Sequence, residues 1–287
     1  MALGVPIDCI GAPGPSAEPF GCELAPGALR ELGIPGEDRG DLAVRLVGTA
    51  RDKRNGIKAW PAVATTTSAV RASVASVIAD GGRPLLLGGC CTLLPGALAG
   101  ARDTLGPIGL AYFDGHLDMY DGKTSPTGEP ADMPIAVICG AGPRDWVSEV
   151  GRPVVAPSRI ALVGPRDREE AIGLKSLVPE DVGIPVEATP DLIRSAGTDV
   201  VAAAALATAG QQFWVHLDVD VLDESVFPAT DYLMPGGLTI DELTSLLTPL
   251  AADPGLIGFS VACYNPEKDR SGDSGKALAE LLGTLFG

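Results

Sequence analysis

The chain has few basic residues, few aromatics and almost no histidine. Its 287 residues carry 21 Lys and Arg against 37 Asp and Glu, two His, and 5% aromatics, for a formal charge of −16. That balance argues against nucleic-acid or anionic-membrane partners, which need a basic surface. It leaves room for carboxylates reserved for cations. Six cysteines (Cys9, Cys22, Cys90, Cys91, Cys139, Cys263) are too sparse for a disulfide-stapled scaffold of this length, so reduced thiols in a cytoplasm are expected. No apolar run is expected to reach the roughly 20 residues of a membrane span, and residues 1–8 lack the basic and long apolar regions of a signal peptide. With 46% hydrophobic residues the chain is not disordered.

What is present is alternation. Short, nearly continuous apolar runs at residues 85–87, 108–113, 159–163, 213–217 and 256–261 read as strands covered on both faces of a parallel sheet. Helical stretches lie between them. Residues 63–78 are rich in Ala, Val, Ser and Thr. Residues 190–209 follow Thr189 as N-cap with Pro190 in the first turn, and residues 240–250 follow Thr239 with Asp241 and Glu242 at the positive helix end. The pattern predicts an α/β fold, a three-layer α/β/α sandwich on a mostly parallel central sheet, as one domain over residues 1–287. The Gly/Pro-rich stretches 11–27 and 121–134 read as loops.

Polar residues cluster where the strands end, the place where open parallel sheets bind ligands. Asp114, His116 and Asp118 alternate after one strand, and Asp218 and Asp220 after another. Extended backbone would turn the members of each set the same way. Four carboxylates and one imidazole at buried strand ends are costly without a cation. The donor set suits Mn²⁺, with Zn²⁺, Ni²⁺ and Fe²⁺ fitting less comfortably. Two adjacent cations sharing carboxylates would turn a clamped water into hydroxide, which is hydrolytic machinery. No P-loop, dinucleotide fingerprint or Ser-His-Asp elbow competes for the role.

These residues resemble the ureohydrolase (arginase/agmatinase) family, whose ordered pattern is G-G-D-H-S, D-A-H-x-D and S-x-D-x-D-x-x-D-P. The matching stretches are residues 88–92, 114–118 and 216–223. Further matches are residues 22–30, the Gly236-Gly237-Leu238-Thr239 turn and Asn265-Pro266. The resemblance implies an arginase-like sandwich, a dinuclear divalent centre (Mn²⁺ foremost, Zn²⁺ possible), a small-molecule guanidino-type substrate and a homo-oligomer. Carried over, Asp114, Asp118 and Asp218 would meet the first metal. Asp114, His116, Asp218 and Asp220 would meet the second, with Asp114 and Asp218 bridging.

Three departures stand out. The family's histidine ligand on the first metal falls on Cys91, a softer donor favouring Zn²⁺, and the Asp beside it falls on Cys90, read as packing. The family's late Glu, which pairs with a substrate guanidinium, falls on Cys263; a thiol cannot make that bidentate contact. Free arginine then becomes a poor substrate, and an N-hydroxyguanidine, an amide or a formamide fits better. The family's proton-shuttle histidine has no counterpart, so Asp132 or Glu129 would carry that role. Glu169, in a G-x-R-D-x-D/E-like stretch, would receive a substrate ammonium, and His216 would sit hydrogen-bonded behind the metals. The leading expectation is hydrolysis of a linear C–N bond. A mononuclear zinc amide hydrolase of deacetylase type and a degenerate, structural or regulatory paralogue stay open as alternatives.

Overall fold

Along the central strands successive side chains point to opposite faces, and both faces are covered. Leu110 and Tyr112 pack into one apolar cluster with Leu86, Leu162 and Trp214. Ala111 and Phe113 pack into a second with Leu87, Val215, Leu217 and Phe259. Such runs leave no solvent face, which is why they read as continuous apolar strings. The computed structural model describes residues 1–8, 21–48, 50–151 and 153–287; Cys9 and most of the expected loop 11–27 lie outside them.

The strands are β1 (Ala2–Val5), β2 (Asp38–Asp41), β3 (Leu85–Gly88), β4 (Gly109–Phe113), β5 (Ile160–Val163), β6 (Val186–Ala188), β7 (Phe213–Asp218) and β8 (Leu256–Ala262). They form one eight-stranded sheet in the order β2-β1-β3-β8-β7-β4-β5-β6. Every pairing is parallel. Helices Trp60–Ala79, Leu94–Leu105 and Arg144–Val150 contribute to the first cluster, and Ala25–Glu31, Thr198–Ala209, Ile240–Ala252 and Asp273–Phe286 to the second. The result is the expected three-layer sandwich. Helix Trp60–Ala79 has the length and apolar composition of a membrane span, contrary to the sequence expectation. It nevertheless buries Val63, Thr67, Val70, Val74 and Val77, and it packs on Leu94–Leu105. There a Cβ on Gly96 or Gly100 would come within 2.6 or 2.3 Å of the carbonyls of Thr67 and Arg71.

Other departures have local causes. The helix expected over 190–209 is two, Pro190–Ala196 and Thr198–Ala209, bent by 111° at Gly197, whose φ of 97° no helix accommodates. Thr189 and Thr239 do cap, accepting from the backbone N–H groups of Leu192 and Glu242. The stretch 11–27 already contains the start of helix Ala25–Glu31, and 121–134 holds a 3₁₀ turn at Pro130–Asp132 before helix Pro134–Cys139. Strands β1, β2 and β6 are not among the expected runs; β2 reads Asp-Arg-Gly-Asp and is tied to Arg30 through Asp38 (2.9 Å) and Asp41 (2.6 Å).

Gly89, just past β3, knots three strand ends together. Its N–H donates to Val5 of β1 (3.0 Å), and its carbonyl accepts from the Cys263 N–H after β8 (2.6 Å). A Cβ there would lie 1.5 Å from the Ile7 carbonyl oxygen, so backbone, not a flexible side chain, must move. Gly89→Ala is expected to cost at least about 1–3 kcal/mol, the usual range for overpacking. Chemical denaturation checks this, and a wild-type midpoint would contradict the tight approach.

Candidate metal centre

Four neighbouring strands, β3, β8, β7 and β4, end side by side, and each delivers donors to one cavity of about 400 Å³. Cys91 follows β3, Cys263 follows β8, Asp218 closes β7 with Asp220 on the 3₁₀ turn after it, and Asp114, His116 and Asp118 follow β4. All seven line the cavity. Their donor atoms fall into overlapping groups, each within 4.8 Å: Asp114, His116 and Asp220; Cys91, Asp114 and Asp118; Cys91, Asp218 and Cys263. Asp114 is shared by the first two. The alternation Asp114, His116, Asp118 therefore does bring all three to one cavity, but Asp118 arrives through a left-handed backbone (φ 50°). It lies on the Cys91 side, and His116 on the Asp220 side.

Hydrogen bonds fix each carboxylate. Asp114 accepts from the His116 N–H (2.7 Å), Asp220 from the Gly115 N–H (2.9 Å) and Asp218 from the Asp220 N–H (2.9 Å). The His116 ring lies 3.1 Å from Asp220 and 3.4 Å from Asp114 through Nδ1. Asp118 accepts from the buried Tyr112 hydroxyl (2.5 Å). Arg166 braces the second turn by donating to the carbonyls of Asp220 (2.8 Å) and Val221 (3.1 Å).

The electrostatics are those of crowded, buried anions. Burial, then the charge of Asp220, pushes Asp114 up to about 7. Burial and neighbouring aspartates push Asp118 and Asp218 well above the carboxylate range. Burial also works against ionisation of Asp220, but His116 and the Gly115 N–H outweigh it and hold Asp220 low. His116, opposed by burial, is held well above its ordinary value by Asp220 and Asp114. Burial raises the Cys91 thiol well above normal, reinforced by Cys263 and Asp218. A cavity whose acids resist carrying their charge together, and whose donors converge, has the chemistry of a cation site.

Behind the donors runs a buried relay. Tyr112, His216 and Ser260 are register partners across β4, β7 and β8, with the Tyr112 and His216 rings stacked 5.1 Å apart. The Trp214 indole N–H donates to Ser260 Oγ (2.9 Å), Ser260 Oγ lies 2.7 Å from His216 Nδ1, and His216 Nε2 lies 3.2 Å from the Cys91 sulfur. Indole can only donate. The neutral ring is thus held between Ser260 Oγ at Nδ1 and the Cys91 sulfur at Nε2. Burial lowers His216 to about 3, so the ring is neutral. This is the role behind the site expected of His216. Cys90 is packed in the core, as expected.

The remaining sequence candidates divide. Asp132 lines the cavity and accepts from Ser125 (2.5 Å) and Thr127 (2.7 Å). Glu129 is not part of the cavity lining: its buried carboxylate pairs with Lys58 (2.9 Å) and accepts from the Tyr232 hydroxyl, and the Tyr232 ring sits edge-on to His116. Glu169 is exposed on helix Arg168–Gly173 and does not line the cavity. Its neighbours Asp167 and Glu170 line the cavity instead, and the Leu117 N–H donates to Asp167. Asp231, Tyr232 and Tyr120 also line it. No motif marked them, because a loop residue's direction is not periodic. Trp214 and Ser260 were missed for a different reason: their contact exists only once β7 and β8 are in register.

Ser260→Ala would strip the acceptor from Trp214 and the Nδ1 partner from His216, both fully buried. The expected loss is about 1–3 kcal/mol for orphaned buried groups. Equilibrium unfolding measures it, and a change below about 0.5 kcal/mol, typical of a surface site, would refute the relay.

The Arginase family model matches residues 1–287. The arginase of Staphylococcus aureus (strain MRSA252) is 26% identical over 98% of this chain and 97% of its own length, and that of Bacillus caldovelox is 28% identical over 98% of each. The solved Bacillus caldovelox arginase superposes with a TM-score of 0.87 at 26% identity, covering all of this chain and 97% of that one. Proclavaminate amidino hydrolase from Streptomyces clavuligerus shares the fold, with a TM-score of 0.70 at 21% identity over 99% of this chain and 90% of that one. Strand order, convergent donors and full-length matches agree, and the chain belongs to the arginase family.

Proposed function

We propose that the protein is a metal-dependent hydrolase of a linear C–N bond in a guanidino or modified-guanidino compound. One observation carries this reading: Asp114 belongs at once to the Asp114–His116–Asp220 group and to the Cys91–Asp114–Asp118 group. The residues of these two groups would hold divalent cations, with Asp218 on the Cys91 side. Family membership supports the reaction class. Bound there, the cations would supply Lewis acidity and lower the pKa of water.

The chain's own residues supply the rest. His116 and Asp220 are locked by mutual contact and by Gly115, so their donor atoms are preorganised. The cavity is ringed by Asp132, Asp167, Glu170 and Asp231, which suits a cationic or strongly hydrogen-bonding substrate. On Asp132 both hydroxyl donors end on Oδ2, so Oδ1 is the atom to hand a proton to the departing amine. Burial raises Asp132, which favours its protonated form. Glu129 acts through Tyr232, by seating that ring against His116.

Two measurements test the reading. Asp220→Asn keeps the shape of the side chain but removes its charge, and should lower bound divalent metal and urea or substituted-urea release at least about tenfold. Unchanged metal content by elemental analysis would end the claim. Across a panel of guanidino compounds, free L-arginine should trail modified guanidines about tenfold to hundredfold. This reflects the missing charge-assisted contact at Cys263, about 1.5–3 kcal/mol; efficient urea release from arginine would refute that preference.

A further inference from the structure

We propose that Cys263 is a metal ligand and not a substrate contact, and that Cys91, Cys263 and Asp218 form a sulfur-rich pocket for a thiophilic divalent cation, Zn²⁺ ahead of Mn²⁺. The inference rests on the reading of the cavity as a metal centre and specifies the chemistry of one half of it.

Three observations carry it. First, topology makes the pocket. Strands β3, β8 and β7 are consecutive in the sheet, so the residues that follow them meet without any long loop. The Cys91 and Cys263 sulfurs are 3.9 Å apart, and the Cys91 sulfur is 2.7 Å from Asp218 Oδ2. Second, Cys263 is held in a conformation its side chain disfavours. Its φ is 66°, in a region that residues with a Cβ occupy only when their surroundings impose it, and such residues concentrate at functional sites. The imposing contact is the 2.6 Å bond from its N–H to the Gly89 carbonyl, which clamps the β8 end to the turn that carries Cys91. Third, His216 Nε2 lies 3.2 Å from the Cys91 sulfur, and the ring's orientation is set by Ser260, which Trp214 holds in turn. Outer hydrogen bonds of this kind orient and tune metal ligands.

The donor chemistry follows. Two sulfurs and a carboxylate make a soft set, selective for Zn²⁺ over Mn²⁺. On the other side of Asp114, His116 and Asp220 supply only nitrogen and oxygen. The two halves of the centre therefore select different cations. Binding exchanges two S–H bonds for two sulfur–metal bonds and releases both protons to solvent.

The test uses full-length protein stripped with chelator under reducing conditions and titrated with Co²⁺. Wild type should develop a near-ultraviolet sulfur-to-cobalt charge-transfer band. The band should fall by roughly half in Cys91→Ser and in Cys263→Ser, the expectation for two thiolate ligands. It should vanish in the double variant, and Zn²⁺ should bleach it where equal Mn²⁺ does not. Cys263→Ala repeats the measurement should the serine distort the turn. Full band intensity in both Cys263 variants would overturn the proposal, as would a disulfide between Cys91 and Cys263 that persists under reductant. Cobalt bound without any band, and lost in Asp220→Asn, would overturn it while leaving the metal centre intact. No cobalt bound at all would remove the metal centre itself.

Discussion

Everything at the strand ends answers to one constraint: four aspartates are buried within reach of one another. Asp114, Asp118, Asp218 and Asp220 are each at most 6% exposed, and like charges in a poorly solvated cavity repel strongly. The sheet creates the problem by its own logic. An all-parallel sheet with both faces apolar has no place for polar groups except beyond its carboxyl ends, where backbone N–H groups are free to hold anions. The aspartates occupy that place, and the Gly115, His116 and Asp220 amides each take one carboxylate oxygen. These bonds fix geometry without neutralising charge. Among the donors one imidazole, His116, compensates in part, and its direct contacts are with Asp114 and Asp220.

Order on the other side comes from behind the cavity. Tyr112 and the Trp214–Ser260–His216 relay lie in adjoining strands, and each ends on a donor: the Tyr112 hydroxyl on Asp118, the His216 ring on Cys91. The strand register sets these contacts, so the precision of the site is inherited from the packing of the sheet. Gly258, the partner of Trp214 across the β7–β8 ladder, shows how tight that packing is. A Cβ there would fall 2.2 Å from the indole ring.

What could be read from sequence follows from the same physics. Strands buried on two faces announce themselves as apolar strings, so the sandwich and the five inner runs were legible. So were the candidate donors directly after β3, β4 and β7, because a strand end fixes where the next few side chains go. Legibility stopped where direction depends on loops or on pairing. Glu169 and Glu170 are adjacent on a helix start, and only the turn of that helix decides which faces the cavity. Glu129 and Asp132 share a loop, yet Lys58, brought from a distant segment, claims Glu129. Edge strand β2 carries almost no apolar residue, and the break at Gly197 hides inside a run that is otherwise good helix.

The same reasoning explains why Cys263 was open to two readings. The motif resemblance after the strand that becomes β8 implies a guanidinium-binding position for it, and with that a substrate role. Position along a strand end, however, says which cavity a residue reaches, not which neighbour its atom meets. With a left-handed backbone and its N–H on Gly89, Cys263 places its sulfur 3.9 Å from that of Cys91. Two residues that look independent in the sequence, at positions 91 and 263, thus meet in space, their sulfurs 3.9 Å apart.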